Sequence, residues 1–203
     1  HLFIATQFVP NLEDLPDAGT SNRSLVNLYN AILAKNSSEL VPKITINGQT
    51  SDLYQLTDCL LPQRATEQNG HTQMVSVVKI DLDNPMNFSS LCLLTEAHGL
   101  FASADHLYLH ARGEESTIVH KISLGNEIRY QATASVVGTL GWQSSAQFRL
   151  AERDGKLLAV TTVGAWSQDP EHMLHILEQQ GSELVEIATL PNESQPAPIG
   201  KTG

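Results

Sequence analysis

The sequence predicts an all-β fold built from a repeated four-stranded unit, and three observations carry that expectation. Short runs rich in β-branched and apolar residues alternate with Gly, Asn, Asp and Pro clusters along most of the 203 residues, the pattern of strands joined by tight turns. "VVKIDL" at 77–82 and "VHKISL" at 119–124 share Lys-Ile-x-Leu, which sets Lys79 and Lys121 42 residues apart. Each of these runs is followed by a turn, "DNP" or "GN", and then by a second strand, "FSSLCLL" or "IRYQATASVV". Self-similarity at that spacing marks a repeat architecture rather than a single sandwich.

The elements follow in chain order. "HMLHILEQQGSELVEIATL" at 172–190 is a third copy of the strand–turn–strand pair, with "QGSE" as its turn. Each pair is preceded by a related strand: "HLFIATQF" at 1–8, "HLYLHARG" at 106–113 and "KLLAVTTVG" at 156–164. Ahead of the second and third of these stand a further strand and tight turn, "GLFASADH" and "AQFRLAERDG", and Asp154-Gly155 is a strong hairpin signal. Four short strands in about 40 to 50 residues make one β-propeller blade.

The first copy lacks an opening strand and carries an insertion at about 9–70. Within it Leu25, Leu28, Tyr29, Ile32 and Leu33 recur at the spacing of an amphipathic helix, predicted over about 23–36 with Ser21 or Asn22 as N-cap. Residues 37–70 read as irregular, with "ITING" as a short strand and Pro42, Gly48, Pro62 and Gly70 as punctuation. The expected organisation is a partial β-propeller of about three blades in one domain. The incomplete first blade spans 1–95, the second 96–139 and the third 140–192, with 193–203 linking to a further blade.

Composition narrows the function classes. Apolar residues make up 41% and charged residues 17%, as in an ordinary globular protein. Twelve Lys and Arg against 22 Asp and Glu give a formal charge of −10 with no basic cluster, which argues against nucleic acid or an anionic membrane surface as partner. No run approaches the roughly 18 apolar residues of a spanning helix. "HLFIATQF" lacks the basic start and small-residue cleavage site of a signal peptide and begins without Met, so the chain is expected to be a fragment of a longer protein.

"HTQMVSVVKIDLDNP", "HGLFASADHLYLHARG", "STIVHKISLG" and "AQFRLAERDGKLLAVTTVG" together resemble bacterial and archaeal secreted proteins with a C-terminal β-propeller domain distantly related to WD repeats. "LTDCLLPQ" stands where that family has an Asp-Cys ahead of a Pro, and Ala146 stands where it usually has Asn before Gln-Phe. The resemblance covers most of residues 1–190 in the same order. It implies a secreted, periplasmic or lipid-anchored propeller without established catalytic residues.

The chemistry-bearing residues point to no reaction. His106 and His110 share a face of one strand and His120 lies on its neighbour's side of the turn, yet no carboxylate shell marks a metal site around them. His172 and His175 project from opposite faces. Asp81 and Asp83 of "DLDNP" lack the Gly and Glu of a calcium loop and read as turn chemistry. There is no nucleophile elbow, phosphate loop or His-Glu-x-x-His. Trp142 and Trp166 flank a hairpin and are read as covering a blade edge. Cys59 and Cys92 admit either one disulfide, in an oxidising compartment, or two separate buried thiols; the apolar "SLCLL" around Cys92 favours thiols.

No catalytic residue, metal ligand or cofactor is therefore expected. The expectation is a non-enzymatic binding or scaffolding module whose partner is a protein, peptide or glycan. The competing class is a hydrolase or lyase whose His and Asp site, at the propeller channel, needs blades this chain lacks. Incomplete blades leave apolar faces and strand edges open, so self-association is expected.

Overall fold

The computed structural model describes residues 1–11, 13–16, 21–61, 73–113, 115–141, 146–165 and 169–196. Pro62, Gly70, Trp142, Trp166 and most of the expected terminal linker, from 197 onward, lie outside the described residues. The chain divides into two compact units, His1–Glu96 and Ala97–Gly203.

The first unit contains β1 (Leu2–Phe8), α1 (Asn22–Ala34), β2 (Lys43–Ile46), β3 (Gln49–Asp52), β4 (Met74–Ile80) and β5 (Phe88–Leu94). β1, β4 and β5 form an antiparallel three-stranded sheet in that order. β4 is central because its residues are apolar on both faces: Val75, Val77 and Val78 are all buried. Fully burying each such side chain contributes roughly 1.5–3 kcal/mol. Val41, Leu53, Tyr54, Met74 and Cys92 complete the local core with Val78. Two hydroxyls buried here satisfy each other, since Tyr54 Oη and Ser76 Oγ lie 2.9 Å apart.

In the insertion, Ser21 caps α1 by accepting from the Ser24 amide at 3.1 Å, an interaction that contributes about 1 kcal/mol. The helix's apolar stripe is nevertheless uncovered, with Tyr29 62%, Ile32 40% and Leu33 64% exposed. Cap and local propensity define a helix without dictating what its face meets. β2 and β3 pair as a hairpin through Asn47 (φ 53°) and Gly48 (φ 80°), the two left-handed residues of a type I′ turn. Residues 49–52 thus form a strand where irregular chain was expected. Among the described residues no helix is long and apolar enough to cross a membrane.

The second unit holds two antiparallel meanders. The first is β6 (Gly99–Ala102), β7 (His106–Arg112), β8 (Ser116–Leu124) and β9 (Ile128–Val137). The other is β10 (Leu150–Arg153), β11 (Lys156–Val163), β12 (Glu171–Gln180) and β13 (Glu183–Leu190). They join into one eight-stranded sheet, β10-β11-β12-β13-β9-β8-β7-β6, where Glu183 on β13 meets Thr133 on β9 in parallel. Asp154 (φ 51°) and Gly155 (φ 75°) make the two-residue turn between β10 and β11. Ala146–Arg149, expected as the start of that first strand, is a 3-10 turn instead; only the last four residues before the turn pair with β11.

The two meanders repeat each other in detail. The β8–β9 register slips between Lys121 and Ile122, and the β12–β13 register slips between Ile176 and Leu177. Each bulge begins one residue after a histidine, His120 or His175. The repeat extends to the first unit, where Lys79 on β4 keeps only 9% of its surface exposed and Lys121 on β8 only 4%. Tyr108, Val119, Ala132, Leu157, Ala159 and Leu177 form the centre of a core drawn from both meanders.

Gly138, between the meanders, has φ +85° and leaves no room for a side chain. A Cβ there would stand 2.8 Å from Thr161 Oγ1 and 2.9 Å from the Thr162 carbonyl oxygen. Left-handed backbone and steric overlap act together, so Gly138→Ala is expected to cost about 2–4 kcal/mol. A urea midpoint within error of wild type would refute that.

Candidate functional site

β7 alternates, so His106, Tyr108 and His110 project to one face. The turn before β7 brings Ser103 beside this row, and Glu152 reaches it from β10. β6 and β10 stand at opposite ends of the sheet, and Ser103 Oγ donates a short hydrogen bond to Glu152 Oε2. The other carboxylate oxygen, Oε1, lies 2.8 Å from His106 Nδ1. The His106 amide donates to Ser103 Oγ at 3.1 Å, which fixes the hydroxyl on the carboxylate.

Tyr108 closes the floor. It is fully buried and stacks on Phe101 with ring centroids 5.9 Å apart. Burial above all, and then the charge of Glu152, push its phenol pKa well above the ordinary value. Glu152 and His106 keep 11% and 24% of their side-chain surface exposed, so a partly accessible carboxylate and imidazole sit above a rigid aromatic floor.

The order of groups decides what this cluster can do. A nucleophile–base relay puts the imidazole between hydroxyl and carboxylate, so that the imidazole takes the hydroxyl proton. Here the carboxylate stands between Ser103 and His106, and it accepts from the hydroxyl directly. The arrangement holds a carboxylate in place at the seam of two meanders, with 11% of its side-chain surface open to solvent.

The histidines singled out in the sequence go to separate places. His110, 4% exposed, lies against Gly99, where a Cβ would come within 2.5 Å of Nε2. Burial first, then the nearby His98, pull the His110 pKa down to about 4. His120 Nδ1 is 3.1 Å from Tyr130 Oη, and burial pulls its pKa down to about 4 as well. His172 Nδ1 and His175 Nε2 each lie 2.9 Å from a threonine hydroxyl, Thr162 and Thr161 respectively. Among the described residues no group of three or more His, Cys, Asp or Glu could hold a metal ion.

A second cluster went unread in the sequence. Thr161, His175 and Glu186 bond in line across β11, β12 and β13, with His175 Nδ1 2.5 Å from Glu186 Oε2. Thr161 Oγ1 donates to the Val137 carbonyl at 2.7 Å and is fully buried, so this chain of groups ties the second meander to the end of β9. The legible signal was the repeat itself, because His175 occupies in "LHILE" the position of His120 in "VHKIS". Asp81 Oδ1 accepts from the Asp83 amide at 3.0 Å, a local turn bond.

The cysteines require a correction. Cys59 and Cys92 are joined in a disulfide, with Cα atoms 4.5 Å apart, where separate buried thiols were the favoured reading. The pairing arises because residues after Cys59 run along β5: the Leu60 amide donates to the Cys92 carbonyl and the Leu94 amide to the Leu60 carbonyl, both at 2.9 Å. Nothing in "SLCLL" alone reports that neighbour.

Comparison with curated proteins and with solved structures found no match. A family model described as "Beta propeller domain" matches residues 8–196. That span takes in all strands but the first six residues of β1, and the repeated antiparallel meanders are the form such a match calls for. The chain belongs to the beta propeller domain family.

Proposed function

We propose that the chain is a non-enzymatic binding module of a secreted or envelope-associated protein, taking a protein, peptide or glycan at the Glu152 seam. The observation that carries this reading is the placement of Glu152 between Ser103 and His106. That order suits a fixed acceptor for a ligand's hydroxyl or amine hydrogens and leaves the serine without an imidazole behind it. The Cys59–Cys92 disulfide supports an oxidising, extracytoplasmic setting, and the acidic charge of −10 supports neutral or basic ligands.

Glycan and peptide arrays probed with wild type and with Glu152→Gln test it. Retention of at least one ligand class, weakened about tenfold or more by Glu152→Gln, is the expected result. Turnover of an ester, peptide or glycosidic substrate that disappears in the same variant would sink the binding reading in favour of a hydrolase or lyase.

A further inference from the structure

The lysines of the described residues differ in what holds their charge. Lys35, Lys43 and Lys156 pair with Asp14, Asp52 and Glu178, and Lys79 lies over the Phe3 ring, 5.9 Å from its centroid. Lys121 is the exception. It keeps only 4% of its surface exposed, yet among the described residues nothing forms a hydrogen bond or ion pair with its ammonium. The repeat sharpens the contrast, because Lys79 stands opposite Phe3 in the same way that Lys121 stands opposite Tyr108. In the second copy that ring is already stacked on Phe101.

A lysine so covered is either paired or turns its ammonium to an opening while its stem stays buried. With no partner for the charge, Lys121 does the second. Directly opposite residues of an antiparallel pair share a face, so Lys121 stands on one face with Tyr108, Ala132 and, two residues back, Val119. All three are fully buried. Ser123, two residues on, and His106 opposite it are partly exposed. The opening within reach of Lys121 is therefore the one beside His106 and Glu152.

We propose that Lys121 is a second ligand contact of the Glu152 site and that the ligand is a neutral glycan, an inference that rests on the binding reading given above. The two residues supply a fixed acceptor and a fixed donor. A lysine or arginine side chain offers hydrogens alone and meets like charge at Lys121, while an anionic ligand meets Glu152 and a net charge of −10. A sugar hydroxyl is neutral, gives its hydrogen to the carboxylate, takes one from the ammonium, and rotates to suit both. Adjacent ring hydroxyls engage the two residues at once, whereas a peptide group holds its donor and acceptor rigidly in one plane.

The test measures binding of neutral oligosaccharides, lysine-rich peptides and Ser/Thr-rich peptides to wild type, Glu152→Gln and Lys121→Met. Wild type is expected to retain neutral oligosaccharides, and each variant to weaken that binding about tenfold or more. Lys121→Met keeps an apolar stem and removes an unpaired charge, so its urea midpoint is expected to equal or exceed that of wild type. Should it fail to fold, wild type alone decides: bound oligosaccharide is expected to slow acetylation of Lys121, read by mass spectrometry, and absence of that protection overturns the inference. Oligosaccharide binding that falls in Glu152→Gln and holds in folded Lys121→Met overturns it and leaves the Glu152 reading standing. So does Glu152-dependent binding of either peptide class without oligosaccharide. Retention of no ligand of any class sinks both.

Discussion

Lowering the pH from neutral to about 4 is expected to strip stability from the protein through two buried imidazoles, His110 and His120. In the folded chain each is held near pKa 4 by burial, against 6.5 for an unperturbed imidazole. Between those values the unfolded chain binds protons that the folded chain refuses. Their contribution to stability is therefore full above about 6.5, falls as pH drops, and is spent below about 4. A depression of that size corresponds to about 3 kcal/mol for each group, of which about 2 kcal/mol is lost by pH 5. Set against a total of roughly 5–15 kcal/mol for a domain, a loss of that order is large enough to read in a urea midpoint.

Surroundings leave the neutral form as the better one at both places. His110 has Gly99 against its ring, and the nearby His98 adds a further penalty to a positive charge. His120 Nδ1 faces the phenol oxygen of Tyr130 at 3.1 Å, and burial is what disfavours its charged form. Urea unfolding of wild type and His120→Gln at a series of pH values separates this histidine from carboxylates that titrate in the acid range, since the variant should lose part of the slope between about 6.5 and 4. Equal slopes for the two proteins would show that His120 takes up its proton freely in the fold.

What the sequence disclosed was the local chemistry and its repetition. Asp154-Gly155 announced a hairpin through left-handed backbone that few residue pairs tolerate, and Lys-Ile-x-Leu announced equivalent strands. Asn47-Gly48 carried the same kind of signal for the β2–β3 hairpin, and it was masked by the low hydrophobicity of Gln49–Asp52, all four of which are exposed. The cluster at Glu152 was of another order. Residues 103 and 152 are 49 positions apart, one in the turn after β6 and the other on β10 at the opposite end of the sheet, and only the curvature of the whole sheet brings their side chains together. The exposed stripe of α1 illustrates the converse: periodicity at Tyr29, Ile32 and Leu33 specified a helix face but not a surface to bury it.

Replacing Cys59 and Cys92 together by alanine is expected to cost the first unit about 3–4 kcal/mol. The bond closes a loop across a sequence separation of 33, and the chain-entropy cost relieved in the unfolded state grows with the logarithm of that length. Cys92 is itself 2% exposed in the core beside Val78 and Met74, so truncation there also removes packing. To separate the two effects, reduced wild type can be compared with oxidised wild type at equal pH, because reduction opens the loop and leaves every core atom but the bond in place. The reduced protein should show a lower urea midpoint for the first unit and an unchanged one for the second, where no cysteine lies. If reduction leaves the first unit's midpoint in place, the two backbone bonds from Leu60 to β5 hold the loop closed on their own, and the disulfide adds no stability.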